Sequence, residues 1–310
     1  MEQVANTITK VHEKKHTREK IFLNKSISLI ICFMQYLLIS LSILCCLPIT
    51  AISSPAPDIG YQGTHILTHG ALEDLAKAFG KKYGKHVFVK GGGCSDGIAV
   101  VVKGQHEMGG LCCPLPEAKA KKLNLIQYKV AVDIKAVMVN SQNSLSNLSL
   151  KQVADIHNGR ITNWKQVGGQ DKPIALVYRD HCRDMDEPVR RVLGIKGPVA
   201  KKAIVVKTDK EVIEYVEKFP GAIGIAPAVF ARESKVKIIN VDKVAPTPEN
   251  TEKGLYPLTG DLYIITKGQP IGLTKTFIEF VLGNEGQAII RKSFAGVHPV
   301  EMPGSSNRVK

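Results

Sequence analysis

Beyond Pro57 the apolar positions of this chain switch repeatedly between a helical period and a strand period. In ALEDLAKAFGKKYG, Ala71 to Gly84, the residues Leu72, Leu75, Ala76 and Phe79 fall at helical spacing, with Gly80 and Gly84 as stops. The apolar pair Ile66 and Leu67 just ahead predicts a strand leading into that helix. HVFVK (His86 to Lys90) alternates as a strand, GGGCSDGIAVVVKG turns into a helix, LPEAKAKKLN is a short helix, and YKVAVDIKAVMVN (Tyr128 to Asn140) is a long β-branched run. The second half repeats the alternation. SLKQVADIHNG (Ser149 to Gly159) is helical, PIALVYR (Pro173 to Arg179) a strand, and DMDEPVRRVLG a helix with acids in its first turn. AIVVK, TDKEVIEYVEKF and GAIGIAP follow as strand, helix, strand; LYPLTGDLYIIT (Leu255 to Thr266) is a further strand, and Thr274 to Phe294 a closing helical region. Strands alternating with helices predict an α/β fold with mainly parallel sheets.

The amino end breaks this pattern. From Ser26 to Thr50 no residue is charged, and a segment with six Lys/Arg against three acids precedes the run. A run of that length at the amino end reads as a membrane segment. Ala51, Ser53, Ser54 and Ala56 suit signal-peptidase cleavage, so residues 26–56 are expected to be a signal peptide or a membrane anchor, and residues 1–25 a basic cytoplasmic segment. Positive-inside orientation puts the body outside the cytoplasm, in the periplasm or at the cell surface, tied to the membrane if the segment is uncleaved.

Charge and cysteine content narrow the function. The formal charge is +14, of which about +11 lies beyond the amino-terminal segment, so the body itself is basic. With one Trp and no run of Arg interleaved with aromatics, nucleic acid is not an expected partner. Of seven Cys, Cys32, Cys45 and Cys46 lie in the membrane segment, which leaves Cys94, Cys112, Cys113 and Cys182 in the body. Four cysteines in an oxidising compartment are enough for two disulfides.

The blocks VAVDIKAVMVN, LSLKQVADIHNGRITNWKQVGG, FPGAIGIAPA, VAPTPENTEKGLYPLTGDLYIIT and FAGVHPV resemble the phosphate-binding proteins of ABC phosphate-uptake systems, over about Gly63 to Val300. The resemblance implies a two-lobed periplasmic-binding-protein fold of type II, a Venus flytrap with a hinge of two crossover strands near Asp133 to Asn140 and Tyr256 to Thr266. Lobe 1 would hold residues 57–136 and 255–310, and lobe 2 residues 137–254. It also implies a solute-binding protein rather than an enzyme, with an ABC permease or a membrane sensor as partner. Hinge closure traps solute in such clefts.

In that family four strand-to-helix turns grip the anion with backbone N–H groups, hydroxyls and Arg, as a helix amino end allows. Aligned on the family pattern, each turn here departs from it. LTHGALEDL places His69 at the usual hydroxyl position. GGGCSDGI places Cys94 there and keeps Ser95. LCCPLP puts Cys112 at a Ser position and Cys113 at an Arg position. RDHCRDMDE retains Arg179, puts His181 and Cys182 in the middle, and has Asp186 where a second Arg belongs. Asp133 matches a family Asp that faces the ligand.

All four body cysteines therefore fall on implied pocket turns, with two histidines beside them, while two bidentate Arg contacts are lost. Thiolate and imidazole are donors for soft cations. The expected ligand is a soft metal, a metalloid or a small metal complex rather than phosphate, held by Cys94, Cys112, Cys113, Cys182, His69 and His181, with Ser95, Asp133, Arg179 and Asp186 around it. Two alternatives stay open at this point: an oxyanion such as phosphate held by Ser95, backbone N–H groups and Arg179, and disulfide or thiol redox chemistry among the four cysteines. Met108 and Met185 flank the turns, where they are expected to fill gaps in the core, with thioether ligation of Cu(I) as the alternative.

Overall fold

A computed structural model describes residues 57–297 except 181, 183, 184 and 186. The segments 1–25 and 26–56, and the residues His181 and Asp186, lie outside the described residues. Among the described residues no helix is long and apolar enough to cross a membrane.

The chain opens with β1 (Ile59–Thr64), α1 (Glu73–Tyr83), β2 (Val87–Gly92), α2 (Cys94–Val102), β3 (Met108–Leu111) and α3 (Glu117–Lys122). It then runs through β4 (Leu125–Val139), β5 (Asn147–Leu148), α4 (Leu150–His157), β6 (Ala175–Arg179), α5 (Pro188–Val192), β7 (Ile204–Val206), α6 (Asp209–Lys218), β8 (Ala222–Pro227) and β9 (Lys237–Val241). It closes with α7 (Pro248–Glu252), β10 (Thr259–Lys267), α8 (Gly272–Leu282) and α9 (Asn284–Ile290). Local chemistry sets the helix starts. Ser149 Oγ accepts from the N–H of Gln152 at 3.1 Å while the Gln152 side chain accepts from the N–H of Ser149 at 2.8 Å. Thr208 and Glu211 make the same reciprocal box ahead of α6.

The strands lie in the order β2-β1-β3-β10-β4-β8-β6-β7, with β9 paired to β4 and β5. The hinge is legible in β4. It pairs antiparallel with β10 from Leu125 to Ile134, then with β8 from Lys135 to Val139, so one strand passes from one sheet into the next between Ile134 and Lys135. The return crossing is pinned there too, because the Lys135 N–H donates to the Leu258 carbonyl at 2.9 Å. The fold is thus the two-lobed α/β architecture of solute-binding proteins.

Each lobe has its own apolar packing. The first core gathers Leu67, Leu72, Phe79, Met108, Leu111, Phe277 and Phe294. In the second lobe the sheet separates two layers, one around Val139, Ile156, Trp164 and Ile223, the other around Met138, Val177, Val212 and Val216. Trp164 is buried, and its indole N–H donates to the Gly221 carbonyl at 3.0 Å.

Two expectations need correction. Ile66 and Leu67 are not strand; they sit in a helical turn, His65–Leu67, that runs on through a π-helical turn, Thr68–Leu72, into α1. The strand ahead is β1, whose IGYQGT carries two glycines and so lacks a β-branched signature. The sheets are also less parallel than alternation implied. β10 with β3, β10 with β4, β4 with β8 and β4 with β9 are all antiparallel. The two crossover strands cause this: a strand that returns through the hinge reverses direction against its neighbours.

Candidate functional site

Three turns deliver the thiols. Cys94 is the first residue of α2, Cys112 and Cys113 follow β3, and Cys182 follows β6 on the other lobe. Glycine brings the first two turns together. A Cβ on Gly109 would lie 2.3 Å from the Gly97 carbonyl oxygen, and one on Gly97 only 2.8 Å from the backbone of Gly110. Without side chains at these positions α2 sits directly on β3. Asp96 fixes the start of α2, where its carboxylate accepts from the N–H of Gly93 at 2.7 Å.

The result is a compact sulfur cluster. Cys94 Sγ lies 3.3 Å from Cys112 Sγ and accepts from the Cys112 N–H at 3.2 Å, and Cys113 Sγ lies 3.9 Å from Cys112 Sγ. The sulfurs of Cys94, Cys112 and Cys182 all lie within 4.8 Å of one another. All four cysteines are free thiols; Cys182 is half-buried and the other three are buried. Cys182 holds a φ of 52°, in the left-handed region that few non-glycine residues occupy.

So many sulfurs in contact divide their protons unequally. Hydrogen bonds from the Cys113 and Cys182 thiols pull Cys112 down to about 6, against the opposing effects of Cys94 and burial. Cys113, which donates to Cys112, is pushed well above the ordinary thiol range. The cluster therefore carries a thiolate on Cys112 near neutral pH, and thiolate is the form that ligates a metal or attacks a disulfide.

A layer of ion pairs lies against the sulfurs. Asp133 and Lys135, two residues apart on β4, are both buried, with Lys135 Nζ 2.7 Å from Asp133 Oδ2. Neither Asp133 oxygen accepts an aligned hydrogen bond. Burial raises the Asp133 carboxyl to about 6, with Lys135 opposing, and the charges of Cys112 and Asp209 add to the rise. Burial works against the Lys135 ammonium, but Asp133 and the Cys112 thiolate outweigh it and hold that group above its usual range. Arg179 pairs through Nη1 with Asp209, and its Nε donates to the Lys207 carbonyl at 3.2 Å. A cavity of about 20 Å³ is lined by Lys135, His157, Arg179, Glu187 and Asp209, room for about one water molecule.

The remaining expected site residues divide. His69 is exposed on the π-helical turn, its ring 5.9 Å from those of His65 and Phe230, and it is not among the donors gathered within 4.8 Å. Ser95 is exposed at the start of α2. Met108 is fully buried and Met185 packs against the first core, as gap filling requires. Sequence reasoning missed three contributors. Lys135 could have been found, since strand alternation puts it on the face of Asp133. Asp209 meets Arg179 only because β6 and β7 are parallel neighbours. The Tyr61 hydroxyl is buried without a hydrogen-bond partner, close enough to Cys94 and Cys112 for their charges to disfavour its ionisation, after burial itself.

With this geometry in hand, the comparisons with known proteins decide the family. A model of the PBP superfamily domain matches residues 67–285. The chain belongs to that superfamily. Within it the chain is phosphate-binding-protein-like: it is 27% identical over 230 residues to the phosphate-binding protein PstS of Bacillus subtilis, a match covering 71% of this chain and 75% of that one. It resembles the structure of a putative phosphate ABC transporter substrate-binding protein with bound phosphate from Clostridium perfringens, with TM-score 0.68 and 26% identity over 77% of this chain and 99% of the other. An ABC-type phosphate transport receptor from Vibrio cholerae is similar at TM-score 0.62 and 27% identity, over 77% of this chain and all of that one. This superfamily member is accordingly a solute-binding protein of the phosphate-binding kind.

Proposed function

We propose that this PBP-superfamily protein works outside the cytoplasm as the capture component of an ABC-type uptake or sensing system, and that its cargo is a soft metal, a metalloid or a small metal complex. One observation carries the reading: Cys94, Cys112 and Cys182, from three turns and two lobes, bring their sulfurs within 4.8 Å of one another. Soft donors select soft acceptors. The charge layer argues in the same direction. Lys135 and Arg179, the cations that sense the Cys112 charge, already face Asp133 and Asp209, so a phosphate dianion would have to compete with both carboxylates.

A second reading, capture of phosphate or another oxyanion, is favoured by the relatives and by Asp133. A buried carboxyl without an aligned donor is suited to accept from a protonated oxyanion. A third, thiol redox chemistry, rests on the 3.3 Å separation of Cys94 and Cys112. One experiment separates the three. The body is purified anaerobically, its bound elements and free thiols are measured, and phosphate is titrated by calorimetry. A stoichiometric soft element released together with reactive thiols is the expected result. Tight phosphate binding with all four thiols left reactive would refute the soft-ligand reading, and a Cys94–Cys112 disulfide that cycles with reductant would favour the third.

A further inference from the structure

The spacing of the sulfurs narrows the class of ligand, and this step rests on the soft-ligand reading above. With metal–sulfur bonds of about 2.3 Å, a tetrahedral centre separates its sulfurs by about 3.8 Å, and a flat trigonal one by about 4.0 Å. Cys94 and Cys112 are closer than either, at 3.3 Å. At the same bond length that separation corresponds to an S–X–S angle of roughly 90°. Such an angle belongs to a pyramidal three-coordinate centre whose fourth direction is a lone pair. Three donors are on hand for it, and the third comes from the opposite lobe.

We propose that the cleft captures a trivalent, lone-pair-bearing metalloid, arsenite or antimonite in chemical class, as a pyramidal tris-thiolate of Cys94, Cys112 and Cys182. Each step of capture is a condensation: a thiol S–H and a metalloid O–H leave as water while an S–X bond forms. With Cys112 already a thiolate, X(OH)3, two thiols, that thiolate and one proton from solvent become X(SR)3 and three waters, with the metalloid trivalent throughout and no oxidant or reductant needed. The complex is neutral, which suits surroundings where Lys135 and Arg179 are already compensated. Cys94 and Cys112 form the preset edge. Cys182, on the second lobe, completes the pyramid only when the lobes approach, so the third bond latches the closed form.

The probe is sodium arsenite, added anaerobically to the reduced full body, with zinc chloride and phosphate in parallel. Expected are one arsenic bound per body with Cys182 protected from a thiol reagent, three arsenic–sulfur neighbours by X-ray absorption, and no proton release. Cys182→Ser is expected to retain arsenite on two sulfurs with affinity weakened on the order of 100-fold or more. Zinc taken up by four sulfurs with proton release, and not displaced by arsenite, would overturn the pyramidal site while leaving the soft-ligand reading intact. Binding of phosphate alone, with neither element held, would overturn both. An arsenite affinity unchanged in Cys182→Ser would refute the latch.

Discussion

At the residue scale, proximity in sequence and proximity in space part company. The four cysteines stood out from the chain because the family resemblance implies that all of them fall on pocket turns, Cys94, Cys112 and Cys113 at positions where it implies a hydroxyl or an arginine. What they do to one another did not, since a shared proton depends on sulfur separations that no spacing encodes. The Asp133–Lys135 pair was half visible: Asp133 stood out, and its partner two residues along the same strand face did not. His157 gives the cleanest test at this scale. It is buried, its Nδ1 lies 2.8 Å from the Val153 carbonyl, and burial pushes it down to about 4. A histidine held neutral in the fold but free to charge when unfolded contributes full stability above pH ~6.5, and that stability is lost as the pH falls toward 4. The full span is worth about 3 kcal/mol. Urea midpoints at pH 7 and pH 5 should therefore differ in the native protein, and His157→Leu should lose most of the difference; an unchanged pH dependence would mean that other groups govern acid sensitivity.

At the element scale, periodicity found most helices and the long strands, and glycine hid the rest. β1 and β3, as IGYQGT and MGGL, have little of the apolar alternation that marks a strand. The glycines that weaken the pattern are what allow α2 to lie against β3 and Cys94 to reach Cys112. Gly109→Ala should thus do two things at once. It should destabilise the fold by roughly 1–3 kcal/mol, because a methyl meets backbone rather than a movable side chain. It should also slow bridging of Cys94 and Cys112 by a short thiol-reactive bis-electrophile, measured by mass spectrometry of the digested product. Loss of stability with unaltered crosslinking would show that the sulfur spacing does not depend on this packing. Periodicity found α4 and α6 but not α7, whose five residues are too short to show a period; all three start at a Ser or Thr cap that acts within three or four residues of itself.

At the scale of the whole molecule, two-lobed organisation was legible through family blocks that lie mostly outside the pocket, whereas closure was not. The described state is closed: Cys182, Met185, Val229 and Phe230 of the second lobe pack on the first lobe's core, and Arg232 Nη2 donates to the Lys292 carbonyl at 2.7 Å. Closure arises from side chains on separate turns meeting across a hinge, and a linear pattern carries no trace of that. The placement of Trp164 has an optical consequence. As the chain's one tryptophan, sealed in the second lobe and bonded to Gly221, it makes intrinsic fluorescence a reporter of that lobe alone. Its emission should be blue-shifted and stay so while a ligand is captured in the cleft. A shift to the red during denaturation should then mark the moment the second lobe comes apart, and comparison with far-ultraviolet dichroism would reveal whether the first lobe goes with it.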